Sequence, residues 1–167
     1  MIGHARAFLS AILLCGAAGA AAQPVLSDMT PCREIAKPTA VPDDFSLTYR
    51  SGPTHTDWGT TTITIVRASG LATITEQRRA KKPGGPREQI VHDRKIAKTA
   101  VQHLYATVQA CDFFALEASY WNRRVMDGSS SSLQVTAGGK SHMVAVHHYG
   151  VKRFSTIVSE LNAALKN

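Results

Sequence analysis

Thr60-Thr61-Thr62-Ile63-Thr64-Ile65-Val66, then Ala68-Ser69-Gly70, then Leu71-Ala72-Thr73-Ile74-Thr75 form the stretch that decides the fold. The first segment is almost wholly β-branched, and such side chains, stiff at χ1, suit the pleated surface of a sheet. Ile63 and Ile65 share one face, because successive strand residues point to opposite sides. Ala68-Ser69-Gly70 has the length of a hairpin turn, so Leu71 to Thr75 returns as the partner strand. Upstream, Phe45-Ser46-Leu47-Thr48-Tyr49 alternates in the same way and reads as a further short strand.

Downstream, Gln77 to Glu88 is polar and carries Pro83-Gly84-Gly85-Pro86, which neither a helix nor a central strand tolerates, so a loop is expected. Asp93 is placed as the N-cap of a helix reaching about Ala110, whose apolar stripe is Ile96, Ala100, Leu104 and Val108, widened by Val101 and Tyr105. Ala118 to Ser130 is expected to be a second loop, ending in serines. Leu133 and Val135 pair with Met143 to His147 around Gly138-Gly139, a strong two-residue turn signal. A last helix runs from about Arg153 to Leu165, with Phe154, Ile157, Val158, Leu161 and Leu165 on one face. The fold class is therefore α+β: an antiparallel sheet built from two hairpins, each followed by an amphipathic helix (β-ββ-α-ββ-α) packed on one face, in a single domain over residues 44–167.

Outward from that domain, residues 23–43 hold Pro24, Pro31, Pro38 and Pro42 with little apolar periodicity, an extended lead-in. Residues 1–22 read as a secretory signal: a basic start (His4, Arg6), an apolar run from Ala7, and Ala20-Ala21-Ala22 as the small-residue cleavage site. That run falls short of the ~20 apolar residues a spanning helix needs. Export to a periplasmic or secreted location follows, with no transmembrane segment in the mature chain. Of the 19 basic side chains only Arg6 is lost, leaving 18 against 12 acidic, or +6. Outside the cytosol such a balance favours an anionic envelope component or an acidic protein over nucleic acid. Cys15 departs with the signal, and Cys32 and Cys111 remain, an even number in an oxidising compartment. A bridge between them would close a loop of about 80 residues; the other reading is two free buried thiols.

Asp112-Phe113-Phe114, Tyr120, Val125-Met126-Asp127 and His148-Tyr149-Gly150, in that order before a closing helix, resemble a bacterial family of exported domains, the DUF6438 type. Tyr49-Arg50-Ser51-Gly52 ahead of Thr61 to Val66 adds to the resemblance, which spans roughly residues 45–165. The chain departs from the family at Pro53 to Gly59, where a cysteine pair is often found and none stands here. The resemblance implies the α+β fold and carries no activity.

Two segments stand out for binding. Arg78, Arg79, Lys81, Lys82 and Arg87 surround the Pro/Gly hinge of the first loop; clustered charge there either docks an anionic surface or simply solvates the loop. Tyr120, Trp121, Arg123 and Arg124 in the second loop are residue types enriched at protein-binding hot spots, or else fold back over a sheet edge. Trp58 would share their surface if the loops lie together.

His147 and His148, with His142, His55, Asp57 and His92, raise a metal site. Strand neighbours point apart, however, and His148 shares its face with Val144 and Val146, so no metal or other cofactor is expected. Ser129 to Ser132 with Asp127 and a histidine lists the parts of a hydrolase without any nucleophile elbow. The best reading is a monomeric, non-catalytic binding module for an unidentified protein or anionic envelope component. An inhibitor of a secreted enzyme is the alternative, and a small hydrolase or metal-binding protein using the His147/His148 region comes behind both.

Overall fold

The structure, a computed structural model, describes residues 27–35, 40–53, 59–79, 85–125 and 128–166. The signal segment, His55, Asp57, Trp58, Lys81, Lys82 and Asp127 lie outside them. Alternation of apolar and polar residues organises a seven-stranded, mostly antiparallel sheet. Its strands are β2 (Ser46–Pro53), β3 (Thr61–Arg67), β4 (Leu71–Arg78), β5 (Glu88–Lys95), β6 (Ser119–Trp121), β7 (Ser129–Ala137) and β8 (Lys140–His147). They lie side by side in the order β5-β4-β3-β2-β7-β8-β6. A two-residue strand β1 (Ser27–Asp28) pairs in parallel with β9 (Gly150–Val151) in a separate ladder.

Register decides which side chains meet. Leu47 faces Val66 on one neighbour and Val135 on the other, Val66 faces Ala72, and Leu133 faces Val144. All six are buried, so this is the apolar face. Helices α1 (Lys98–Ala110) and α2 (Lys152–Lys166) complete the core above it with Val101, Leu104, Val108, Phe154, Ile157 and Leu161. Phe45 meets Tyr105 of α1 edge-on at 5.2 Å, and Tyr49 meets Phe154 of α2 at 6.5 Å. The opposite, open face carries Thr48, Arg50, Ile63, Ile65, Thr73, Thr75, Ser130, Ser132, Gln134 and Met143. Ile63 and Ile65 thus share a face as expected, but it is the uncovered one, where they are half-buried.

The α+β class and the two helices stand. Four strands, β1, β5, β6 and β9, go beyond those expected, and one boundary moves. Asp93 is not an N-cap: it lies in β5 opposite Thr73, and α1 begins after Ala97, which makes no side-chain cap. The helical stripe starts only at Ile96, leaving 88–95 free to pair with β4, whose edge would otherwise be open. Seven of the eight β5 residues are exposed, and Glu88, Asp93, Arg94 and Lys95 make this edge a charged one that discourages pairing with another chain. Part of the expected second loop is strand β6, running parallel to β8. The serine run, expected at the end of that loop, is the first half of β7.

Residues 23–43 are expected to be an extended lead-in, and their described part is fastened to the body at several points. β1 joins β9, Arg153 forms an ion pair with Asp28 at 3.1 Å, and Arg33 donates its backbone N–H to the Ala110 carbonyl at 2.9 Å. Hydrogen bonds from Thr30, then the Arg153 guanidinium, hold the Asp28 carboxyl below the usual carboxylate range. Cys32 and Cys111 lie at disulfide distance, with Cα atoms 4.1 Å apart and 79 positions apart in sequence.

The far end of the sheet has its own clamp. Gly138 and Gly139, at φ 58° and 74°, make the β7–β8 turn, and left-handed backbone at both positions suits glycine. Their N–H groups donate to the two carboxylate oxygens of Asp44 at 2.8 and 2.7 Å, tying the start of β2 to the turn. These bonds, Gly139's first, lower the Asp44 pKa. A carboxylate whose folded pKa is depressed stabilises the native state above its unfolded pKa of about 3.9, and that stability is lost as pH falls through the folded value. Asp44→Asn should therefore lower the melting temperature at pH 7 and flatten its fall with acid below about pH 4. Superimposable melting curves for the two proteins from pH 7 to 3 would remove the clamp from the account.

Candidate functional site

Strand directions bring the irregular segments to one end. β2 ends at Pro53, β3 begins beside it at Thr61, and β4 ends at Arg78. β7 begins at Ser129, and β8 and its parallel neighbour β6 end at His147 and Trp121. The segments after Arg78 and after Trp121 therefore leave the same end of the sheet, five strand spacings apart, roughly 24 Å.

Within the basic segment, Arg78 is exposed at the end of β4 and pairs with Glu76 at 3.2 Å. Arg79 is exposed and Arg87 half-buried on the way back into β5. Strand alternation divides the second segment. Tyr120, opposite Val146, turns to the helix face, where its ring lies 5.5 Å from Tyr149 and its hydroxyl accepts the Glu117 N–H at 3.2 Å. Trp121, opposite His147, turns to the open face and is 61% exposed. Arg123 and Arg124 are exposed in the turn that follows, with the Arg124 N–H donated to Asn122 Oδ1 at 3.2 Å.

Beside Trp121 a groove of about 400 Å³ crosses the open face at this end. Its shape follows from side-chain size. Ser132 and Ser130 of β7, Ala145 of β8 and Ser119 of β6 are small and lie in neighbouring register, so the face sinks between Arg50 on β2 and Trp121 on β6. Arg50 is exposed, flanked by Ser132 and Ile63, and no carboxylate pairs with it among the described residues. His147 supports the Trp121 wall: the rings meet edge-on at 5.2 Å, and His147 Nε2 donates to the Val125 carbonyl at 3.3 Å.

The rings of His147 and His148 come together at the end of β8. His148 has φ 45°, a left-handed turn out of β8; its ring meets His147 edge-on at 5.1 Å and lines a cleft with Val146, Tyr49 and Phe154. Its Nε2 accepts the Ser129 backbone N–H at 3.1 Å, which commits that lone pair to the main chain rather than to a serine hydroxyl. Gly128 lies so close that a Cβ there would fall 1.4 Å from His148 Nε2. His142 Nε2 donates to the Leu116 carbonyl at 2.8 Å, and His92 stands away on β5. Among the described residues no three His, Cys, Asp or Glu side chains gather as a metal would require.

Arg50 and Ser119 were not legible as site residues, and Ser130 and Ser132 were noticed only as members of a serine run with hydrolase parts. The available signal was parity: Leu47 and Tyr49 mark the covered face of β2, so Arg50 belongs to the other, and extending the strand of Leu133 backwards puts Ser132 and Ser130 beside it. Among the described residues no helix is long and apolar enough to cross a membrane. No protein-family model matches the chain, and no curated protein matches it, so the likeness to the DUF6438 type rests on the residues quoted for it alone.

Proposed function

We propose that the protein is an exported, non-catalytic binding module that holds an anionic envelope component or an acidic extracellular protein against one end of its sheet. The observation that carries this reading is the common exit of the two cationic segments, 78–87 and 122–125, from the same sheet end as the exposed Trp121. An excess of basic over acidic residues adds long-range attraction. The pair at disulfide distance and the fastened lead-in suit a small domain working in an oxidising compartment.

Affinity capture from envelope extract with residues 23–167, at low and at physiological salt, tests the reading. One partner retained at physiological salt is the expected result. Reversing Arg78, Arg79, Lys81 and Lys82 to Glu should weaken capture. At about 1 kcal/mol per basic residue near an anionic surface, that amounts to roughly a thousandfold. Capture that disappears at physiological salt, or survives the reversal unchanged, overturns it.

A further inference from the structure

The groove beside Trp121 has a lining that the loop charges do not explain. A recognition surface for a macromolecular anion needs only exposed cations. This one adds a depressed floor of hydroxyls, one guanidinium at the side and one aromatic wall. We propose that the groove binds a short acidic saccharide, its anionic group on Arg50 and a sugar ring against Trp121. The inference rests on the binding reading above and names the ligand chemistry of its Trp121 side.

Each part answers one feature of such a ligand. A guanidinium offers a planar fork of N–H donors that fits a carboxylate or phosphate in two parallel bonds. Arg50 has that fork uncommitted to any acid among the described residues, and its strand neighbours are a serine and an isoleucine. Ser130, Ser132 and Ser119 can each donate and accept, as sugar hydroxyls do, so either partner orientation is satisfied. The exposed Trp121 ring gives the C–H face of a sugar an apolar surface, and His147, on the neighbouring strand, meets that ring edge-on.

Dimensions agree. Arg50 and Trp121 sit three strand spacings apart, roughly 14 Å between backbones, and both line the groove. The volume of about 400 Å³ lies in the range of small-molecule sites. Between the two walls lie Ser130 and Ser132 of β7, Ala145 and the His147 ring of β8, and Ser119 of β6, short side chains that leave room for a ligand across the strands.

The test is titration of the purified chain, followed by calorimetry, with four probes: digalacturonate, glucose 1-phosphate, neutral lactose and a short poly-glutamate peptide. Binding of digalacturonate or glucose 1-phosphate, with lactose weaker by roughly 10- to 100-fold, is the expected result, and which of the two acids binds tells carboxylate from phosphate. Arg50→Gln should bring the acidic probe down to the lactose level, and Trp121→Ala should weaken lactose and acid alike. Both side chains are exposed, and unchanged circular dichroism melts of the variants show that they fold. Equal affinity for lactose and acid, full binding by Arg50→Gln, binding of poly-glutamate alone, or binding of none of the four overturns the proposal. Envelope capture is read in parallel. Its persistence without saccharide binding removes this inference and leaves the loop reading. Its loss with saccharide binding intact removes the loop reading only.

Discussion

Cys32→Ser combined with Cys111→Ala destabilises the domain by about 4 kcal/mol, and its melting temperature falls by on the order of 10 °C. The size comes from the unfolded chain. A bridge across 79 positions closes a long loop, and the denatured ensemble loses the conformations in which the two ends are apart. Breaking it restores that freedom. In the native state, Cys111 at the end of α1 is fully buried, and Cys32 packs half-buried against the same core. The other ties cannot replace the bridge. β1 and β9 pair over two residues, and the Arg33–Asp112 ion pair at 3.4 Å is solvent-exposed and worth little. Urea unfolding of the wild type, oxidised and reduced, beside the double variant measures the effect. A difference below about 1 kcal/mol among the three would show that Cys32 and Cys111 are not linked in the working protein.

The second large effect separates two adjacent phenylalanines. Phe113 and Phe114 follow α1 in a single 3-10 turn, Phe113–Ala115, entered through Asp112 at φ 49°. That left-handed step turns the chain and divides the pair: Phe113 is 0% exposed and Phe114 36%. Phe113 lies edge-on to His142 at 5.6 Å, and His142 in turn holds the Leu116 carbonyl, so the ring fills the corner where α1 gives way to β6 against β8. Phe113→Ala should cost about 3–5 kcal/mol, the usual range for a buried aromatic, because the corner cannot collapse around the cavity. Phe114→Ala should cost less than about 1 kcal/mol. Chemical denaturation of the two variants gives the comparison, and equal losses would contradict this packing. The expected result also bears on the resemblance: an aspartate followed by two phenylalanines is then a corner-forming motif, with the first ring structural and the second free for contacts.

Much of the molecule could be read from local pattern. The β-branched run of β3 and its turn, the glycine pair between β7 and β8, and the apolar stripes of α1 and α2 all come from side chains within a few residues of one another. In α2 the buried positions are Phe154, Ile157, Leu161 and Ala164, with Val158 and Leu165 half-buried at the margin of the same stripe. Periodicity reports the buried side of an element that has one. β5 has nearly none: at the edge of the sheet both its faces are open, so no alternation betrays it, and its charged residues read as the approach to a helix.

The site divides along the same line. Trp121 and the clustered cations were visible by residue type, since an aromatic among arginines needs no structure to be noticed. Tyr120 beside Trp121 looked equivalent, and only pairing of β6 with β8 turned one ring inward and the other out. Arg50 and Ser119 gave no signal and the serine run pointed to the wrong chemistry, because their place in the groove lies in adjacency across β2, β7, β8 and β6, whose residues span positions 46 to 147. Local sequence thus determined the helices, the hairpin turns and the stock of cations and aromatics, all set by interactions within a turn or two of chain. Tertiary structure alone decided where the edge strands pair, which face the helices cover and that four small side chains make a groove, because hydrogen bonds between distant strands, not local preference, set that register.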